Sequence, residues 1–480
     1  MSDVKKNFKK VIVQKEARPI TGWYEKMRVK ATPVEQRQKY MQQALDSMGT
    51  RIMAYINSPI EARVLELICK QGTKEQRQII LDQLKPELGK LLFNKYSRFP
   101  ASELLNCQHD EKAAKLIEEV VLPIAHKLIT NATANISLNS IFSNGTAQVQ
   151  AMIVNQLITK CASPDIDFTL KKIKELPQTA AIYAKTVVKQ LVMCESKMML
   201  GSIACISVLL QTFKIYFALE NVEIKAEIMH ELEFLQSIEA EQYLQLIDTK
   251  EGVQIACYLY AMFQAKQKKQ ILNAMKSKFK EMIEDPAAKI LLLFAPFFTD
   301  DTVLIKEVVF NFFEKNMDKL FADNQLILVF LLSLNQLQRL NEEGTCAGCS
   351  DDQLMQLLNN SVKLSTCKKP IEKRQSELRA IAVEALKEYL TADKIKAILL
   401  SKSSGSDILA ELVNVIDTDI LIKALKENGA TEPVLLDNVG HFNAKKIIKK
   451  LNAEQKLGLK EFCESLGSTK RAEFVKEWVK

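Results

Sequence analysis

Apolar residues recur at helical spacing through most of the chain, in short runs broken by polar turns. The stretch Arg63–Lys85 holds two amphipathic segments separated by Gly72-Thr73, and Thr73 with Gln76 three residues later is a capping-box pattern for the second segment. The pattern returns 191 residues on, at Gln254–Lys276, where Ile271, Leu272, Met275 and Lys276 take the places of Ile80, Leu81, Leu84 and Lys85. Shorter shifts also work: 36 residues carry Ile68 to Leu104 and Leu81 to Ile117, and a further 37 carry Leu104 to Ile141. A unit of this size cannot bury its apolar stripe alone, so it stacks on its neighbours. The expected fold is all-α, an α-solenoid of repeats with a period of about 36 residues.

Composition narrows the picture further. Glycine (14) and proline (12) are scarce in 480 residues, and 47% of the chain is hydrophobic, which favours helix and excludes both a disordered chain and a β-rich fold. The apolar runs Ile290–Phe298 and Leu326–Leu334 are nine residues each, against about twenty for a bilayer span, and are expected as buried helices. The lysine-rich segment Met1–Lys10 has no apolar stretch behind it and does not read as a secretory signal, so a cytoplasmic or nuclear protein without a membrane partner is expected.

Cys161–Asp167, Asn341–Asp352, Leu364–Pro370 and the compositionally flexible Ser401–Ser406 read as loops between repeats. A module boundary is expected near residue 165. This gives a basic amino-terminal segment (1–45), a first set of repeats (46–165) and a second set ending in basic helices (166–480).

Charge and cysteines bear on partners. Residues 1–40 carry a net +7 and residues 441–480 a net +5, so the middle carries −4 of the total of +8. Basic ends on a near-neutral body suit a polyanion, and equally a solvated surface. Ten cysteines scattered along a helical chain suit reduced thiols, and no disulfide is assigned. Cys346-Ala-Gly-Cys349 has no third and fourth ligand nearby and reads as a surface loop, so no metal or other cofactor is expected.

Several segments, in collinear order over roughly residues 45–450, carry a family likeness. Arg63-Val-Leu, Lys70–Arg77 and Asn94–Phe99 resemble the first repeats of the nucleolar, PUF-A-type branch of the Pumilio (PUF) family. Asp248–Val253 resembles that branch's repeat start, Asp300–Val303 its inter-repeat turn, and Lys368-Lys-Pro370 with Arg374 and Glu377-Leu378 its late "KK…R…EL" segment. The resemblance implies about eleven three-helix repeats in two arms forming an L shape. It also implies nucleic acid bound mainly through backbone charge, and a role in large-subunit ribosome assembly or in mRNA repression.

In PUF repeats that read sequence, each repeat offers two base-edge groups and one stacking group. Carried over by resemblance, these are Ala62, Arg63 and Glu66, then Arg98, Phe99 and Ser102, then Asn135, Ile136 and Asn139. Later sets are Val253, Gln254 and Cys257, then Ala288, Lys289 and Leu292, then Gln325, Leu326 and Val329. Small and apolar groups cannot hydrogen-bond a base edge, so a base-by-base code fails over most of the chain. The family's Tyr-Gly before the reading positions survives as Tyr96-Ser97.

The RNA-contacting set is therefore Arg63, Glu66, Lys70, Lys95, Tyr96, Arg98, Phe99, Ser102, Asn135, Asn139, Gln254 and Lys289, with Lys70, Lys95, Arg98 and Lys289 as phosphate contacts. Read without the family, Arg63 and Phe99 are equally a snorkelling cation and a core aromatic, and each lysine a solvated face. Lys5, Lys6, Lys9, Lys10 and Lys445, Lys446, Lys449, Lys450 either lengthen an electrostatic track or meet importins or ribosomal proteins.

Catalytic readings find no support in motifs: there is no Walker-type loop, nucleophile elbow or HExxH, and the four histidines are widely spaced. The expectation is a monomeric, non-enzymatic protein that binds pre-rRNA or mRNA, with duplex nucleic acid as a further ligand, and that meets ribosome-assembly proteins in the nucleolus or nucleus. Two other readings stay open. One is a repressor of particular mRNAs. The other is a protein-binding scaffold, favoured by the lost reading residues and the acidic stretch Glu223–Glu251.

Overall fold

A stacked row of helices organises the first of two units, Met1–Glu231, in a computed structural model of the chain. The structure describes residues 19–106, 112–324, 326–327, 351–413, 416, 420–421, 423–424, 438–451 and 456. Among them every regular element is a helix, and none is long and apolar enough to cross a membrane.

In the first unit the helix Pro19–Arg28 packs on Pro59–Gln71, which packs on Arg98–Leu104, then on Ala132–Ser143, then on Ile203–Ala218. The helices Val34–Met48, Lys74–Leu84, Ala125–Thr130 and Thr179–Glu195 pack against members of this row. The 36- and 37-residue shifts step along it: Ile68, Leu104 and Ile141 are buried in three successive row helices. Burying a side chain of this size contributes about 1.5–3 kcal/mol. The row is therefore held by many such contributions, none of them within one helix.

The longer repeat is reproduced in the helix boundaries. Pro59–Gln71 followed by Lys74–Leu84 corresponds to Lys250–Met262 followed by Ala265–Lys276, with 191 residues between the starts of each pair. The capping box forms as the sequence predicts: Thr73 Oγ1 accepts from the Gln76 N–H at 3.3 Å, and Gln76 Oε1 accepts from the Thr73 N–H at 3.0 Å. At the matching position Gln264 no side chain caps the helix.

The second unit, Leu232–Lys480, is built around Lys250–Met262, which packs on Lys289–Phe297 and on Asp351–Leu364. Every residue from Ile255 to Phe263 is buried. Two tyrosines in this core are satisfied through their hydroxyls: Tyr243 donates to the Ala256 carbonyl at 2.9 Å, and Tyr260 Oη lies 2.7 Å from Thr299 Oγ1.

Leu291–Phe298 is buried, as the first apolar run predicts; the second run lies outside the described residues beyond Ile327. Ser401–Ser406 departs from its flexible composition. Gly405 and Ser406 already belong to the buried helix Gly405–Leu412, and Ser404 N–H donates to Asn324 Oδ1 at 2.9 Å, so packing fixes a stretch that composition alone would leave loose.

Gly252 shows how close the second unit's backbone runs. A Cβ there would lie 2.0 Å from the Leu246 carbonyl oxygen and 2.8 Å from the Thr249 Oγ1 that caps this helix. Gly252→Ala is expected to destabilise the chain by about 3 kcal/mol, whereas Thr73→Ala, which removes a cap, costs about 1 kcal/mol. Urea unfolding of both variants, followed by helical circular dichroism, checks the order.

Candidate nucleic-acid interface

Two guanidinium groups converge on one phenyl ring in the first unit. The turn before the Arg98–Leu104 helix is pinned by Ser97, whose hydroxyl donates to the Leu91 carbonyl at 2.9 Å, and by Asn94 Oδ1, which accepts from the Tyr96 N–H at 3.0 Å. Ser97, standing where the family has glycine, is fully buried and uses its hydroxyl to hold the turn. That turn sets Phe99 beside the preceding row helix, where the Arg63 guanidinium lies 3.7 Å from the ring centroid and the Arg98 guanidinium 4.7 Å.

Each guanidinium is anchored on its other side. Arg63 pairs with Glu66 at 2.6 Å, the two side chains being 44% and 24% exposed, and Arg98 donates to the Thr133 carbonyl of the next row helix at 3.2 Å. Arg98 Nε is buried without a partner. Burial first, and Arg63 second, lower the Arg98 pKa from its ordinary value, yet an arginine keeps its proton at any physiological pH. The result is two guanidinium groups, one of them paired with Glu66, and an aromatic ring within one patch.

Lys70 is exposed two turns along the helix from Arg63, on the same face. Lys95 is exposed, with Nζ 5.5 Å from the Tyr96 ring centroid. Arg63, Glu66, Lys70, Lys95, Tyr96, Arg98 and Phe99 thus fall on two adjacent row helices and the turn between them.

The other five candidates do not join this patch. Ser102 is buried. Asn135 is buried as well, its amide donating to the Ile129 carbonyl at 2.8 Å and its oxygen accepting from Asn139 at 3.1 Å. Asn139 Oδ1 in turn accepts from the Ala204 N–H at 3.3 Å, so Asn135 ties its row helix to the flanking helix Ala125–Thr130 and Asn139 ties it to the next row helix, and the residue exposed between them is Ile136. Lys289 is 8% exposed and forms an ion pair with Asp323, which occupies the ammonium that a phosphate would need. Gln254 is half-buried between the buried Val253 and Cys257.

Of the terminal clusters, Lys446 pairs with Asp407 at 2.7 Å and Lys450 with Glu411, joining two helices of the second unit. Lys5, Lys6, Lys9, Lys10 and the Cys346/Cys349 pair lie outside the described residues, as do Gln325 and Val329.

Sequence reading missed further cation–ring contacts in the first unit, among them Lys26 Nζ at 5.1 Å from the Tyr40 ring and the Arg51 guanidinium at 5.9 Å from the Tyr55 ring. The second pair, four residues apart, was open to discovery from spacing alone.

No protein-family model matches the chain. In sequence it is similar to Pumilio homolog 24 of Arabidopsis thaliana, 21% identical over 355 residues that cover 72% of this chain and 54% of that protein. It is also similar to Pumilio homology domain family member 6 of Saccharomyces cerevisiae, 22% identical over 409 residues, covering 83% and 59%. The chain thus spans somewhat over half the length of these two relatives. Human Puf-A, solved in complex with DNA, superposes with a TM-score of 0.73 over 96% of this chain and 95% of that one, at 17% identity.

The chain has the fold of a Puf-A-type Pumilio-like protein. In this Pumilio-like frame the patch around Phe99 sits on consecutive helices of the row, at the positions that the resemblance assigns to the first two repeats.

The buried members of the candidate set behave as structural groups. Asn135→Ala is expected to cost about 1–3 kcal/mol through the donor and acceptor it strands, and Lys289→Ala about 2 kcal/mol by leaving Asp323 without its ammonium. Lys70→Ala, at an exposed site, stays within about 0.5 kcal/mol. Thermal unfolding of the three variants separates the classes.

Proposed function

We propose that this chain binds RNA through its phosphate backbone, largely without reading sequence, along the face that carries Arg63, Phe99 and Arg98. The observation that carries the reading is the double guanidinium contact on Phe99, at 3.7 and 4.7 Å, in a patch that also includes Lys70 and Lys95. Cations neutralise phosphates and release counterions, while a guanidinium stacked on a ring presents its outer plane as a sequence-tolerant stacking surface for an unpaired base.

The absence of sequence reading follows from burial. Ala62, Ser102, Asn135, Val253, Cys257, Ala288 and Leu292 are buried, and an inward side chain has no access to a base edge. The likeness in fold to human Puf-A, a protein solved with DNA, supports nucleic acid as the ligand class and extends the proposal to DNA. By resemblance to the nucleolar branch we assign the protein to pre-rRNA processing and large-subunit assembly in the nucleolus, acting as a monomer alongside other assembly proteins. A protein-binding scaffold is the competing reading, favoured by the same inward-facing positions in the second unit.

Binding of the full chain to single-stranded RNA, structured RNA and duplex DNA over a salt series tests this. Affinity is expected to fall steeply with salt and to vary little with sequence. Arg63→Ala and Arg98→Ala each reduce the slope of log K against log salt by about one, and Phe99→Ala weakens single-strand binding by about 1–3 kcal/mol. No RNA binding at physiological salt would leave the scaffold reading in its place.

A further inference from the structure

A cavity of about 350 Å³ opens in the second unit where the start of the Ala265–Lys276 helix meets the turns at 299–301 and 366–368. Four lysines line it, Lys266, Lys268, Lys269 and Lys368, against two aspartates, Asp300 and Asp301. Both carboxylates are already engaged by backbone. Asp300 accepts from the Lys368 and Lys369 N–H groups at 2.8 and 3.3 Å, and Asp301 accepts from the Leu304 N–H at 2.9 Å.

Lys268 stands apart from the other three lysines. It is 3% exposed, and its Nζ donates to Thr366 Oγ1 at 3.1 Å and contacts Cys367 Sγ at 3.8 Å. Among the described residues it forms no ion pair. A buried ammonium without a carboxylate is expensive to keep charged. Burial accordingly pulls its pKa down, while Cys367 and Asp300 push the other way. An anion bound in the cavity resolves this imbalance.

The surrounding groups suit one kind of anion. The Ala265–Lys276 helix starts in the cavity wall with no side-chain cap and no acidic residue in its first turn, so its terminal N–H groups and positive dipole end have no anion of their own. Such helix starts hold phosphate groups. Here the helix start coincides with a buried ammonium and three exposed lysines, and the Thr366 hydroxyl, which donates to the Phe263 carbonyl at 2.6 Å and accepts from Lys268, holds that ammonium in place without itself donating to the anion.

We propose that this cavity binds a phosphate group, with Lys268 as the buried counter-charge and Lys266, Lys269 and Lys368 at the rim. Its volume leaves room for more than the phosphate itself, so the group belongs either to a small phosphorylated molecule or to the end of a polynucleotide. The site lies wholly in the second unit and does not depend on the Phe99 patch.

Cys367 supplies a local reporter, because it lines the cavity and is half-buried. The full chain is alkylated with iodoacetamide and labelling of Cys367 is followed by peptide mass spectrometry. The additions are inorganic phosphate, AMP, a 5′-phosphorylated RNA and its 5′-hydroxyl counterpart, all at matched ionic strength. Phosphate is expected to slow labelling of Cys367 several-fold and to leave the exposed Cys161 of the first unit unchanged.

Lys268→Met removes the protection. Lys266→Ala with Lys368→Ala, both at exposed positions, weakens it by about tenfold in concentration without altering the melting temperature. If Lys268→Met fails to fold, the rim variant and the native labelling decide. Protection by AMP but by neither RNA assigns a small molecule; protection by the 5′-phosphorylated RNA alone assigns a polynucleotide end. Unchanged Cys367 labelling in the native protein, or equal protection in the rim variant, overturns the proposal.

Discussion

Every inner helix of the first unit's row must bury two stripes, one against the helix before it and one against the helix after. Pro59–Gln71 does this with Val64, Leu65, Ile68 and Cys69, all fully buried. No single repeat closes its own core, so each depends on its neighbours for the apolar contribution that offsets the entropy of ordering it. Polar groups are drawn into the same joints. Asn135 and Asn139 link three helices through the Ile129 carbonyl and the Ala204 N–H, and Arg98 reaches the Thr133 carbonyl of the next row helix.

This stacking also sorts the cations. Positive charges that fall in the joints are consumed there: Lys289 by Asp323, and Arg374 by Asp300, the Phe297 carbonyl and the Cys367 sulfur. Those that fall on the faces stay available, as Lys70 and Lys95 do. Arg63 and Arg98 lie between these cases. Each is anchored by one contact yet kept against the Phe99 ring, which restricts the side chains without neutralising them through the ring.

Among the described residues of the second unit Lys268 is the exception, buried like a joint residue but without the ion pair that Lys289 has. Its neighbours join three stretches of the chain. Thr366 lies 98 residues from Lys268, and Arg374 crosses 77 residues to the Phe297 carbonyl. Lys369 and Thr302 both reach Glu377, at 2.7 and 2.6 Å. The segments Asp300–Val303, Lys368–Pro370, Arg374 and Glu377, which carry the family likeness separately in sequence, are one hydrogen-bonded cluster in space.

The sequence by itself determined the class of fold, the 191-residue correspondence of helix pairs and the Thr73 capping box. Helix periodicity, caps and breaks are local, so they are written in neighbouring residues and survive any tertiary arrangement. It also singled out Arg63, Arg98 and Phe99, although it left open whether they were core or surface. Only the tertiary structure decided that question, together with the inward turn of Ser102 and Asn135, the pairing of Lys289, and the meeting of Lys268 with Thr366 and Cys367. Those outcomes depend on which face of a helix meets its neighbour, a property of packing between residues tens of positions apart that no local pattern encodes.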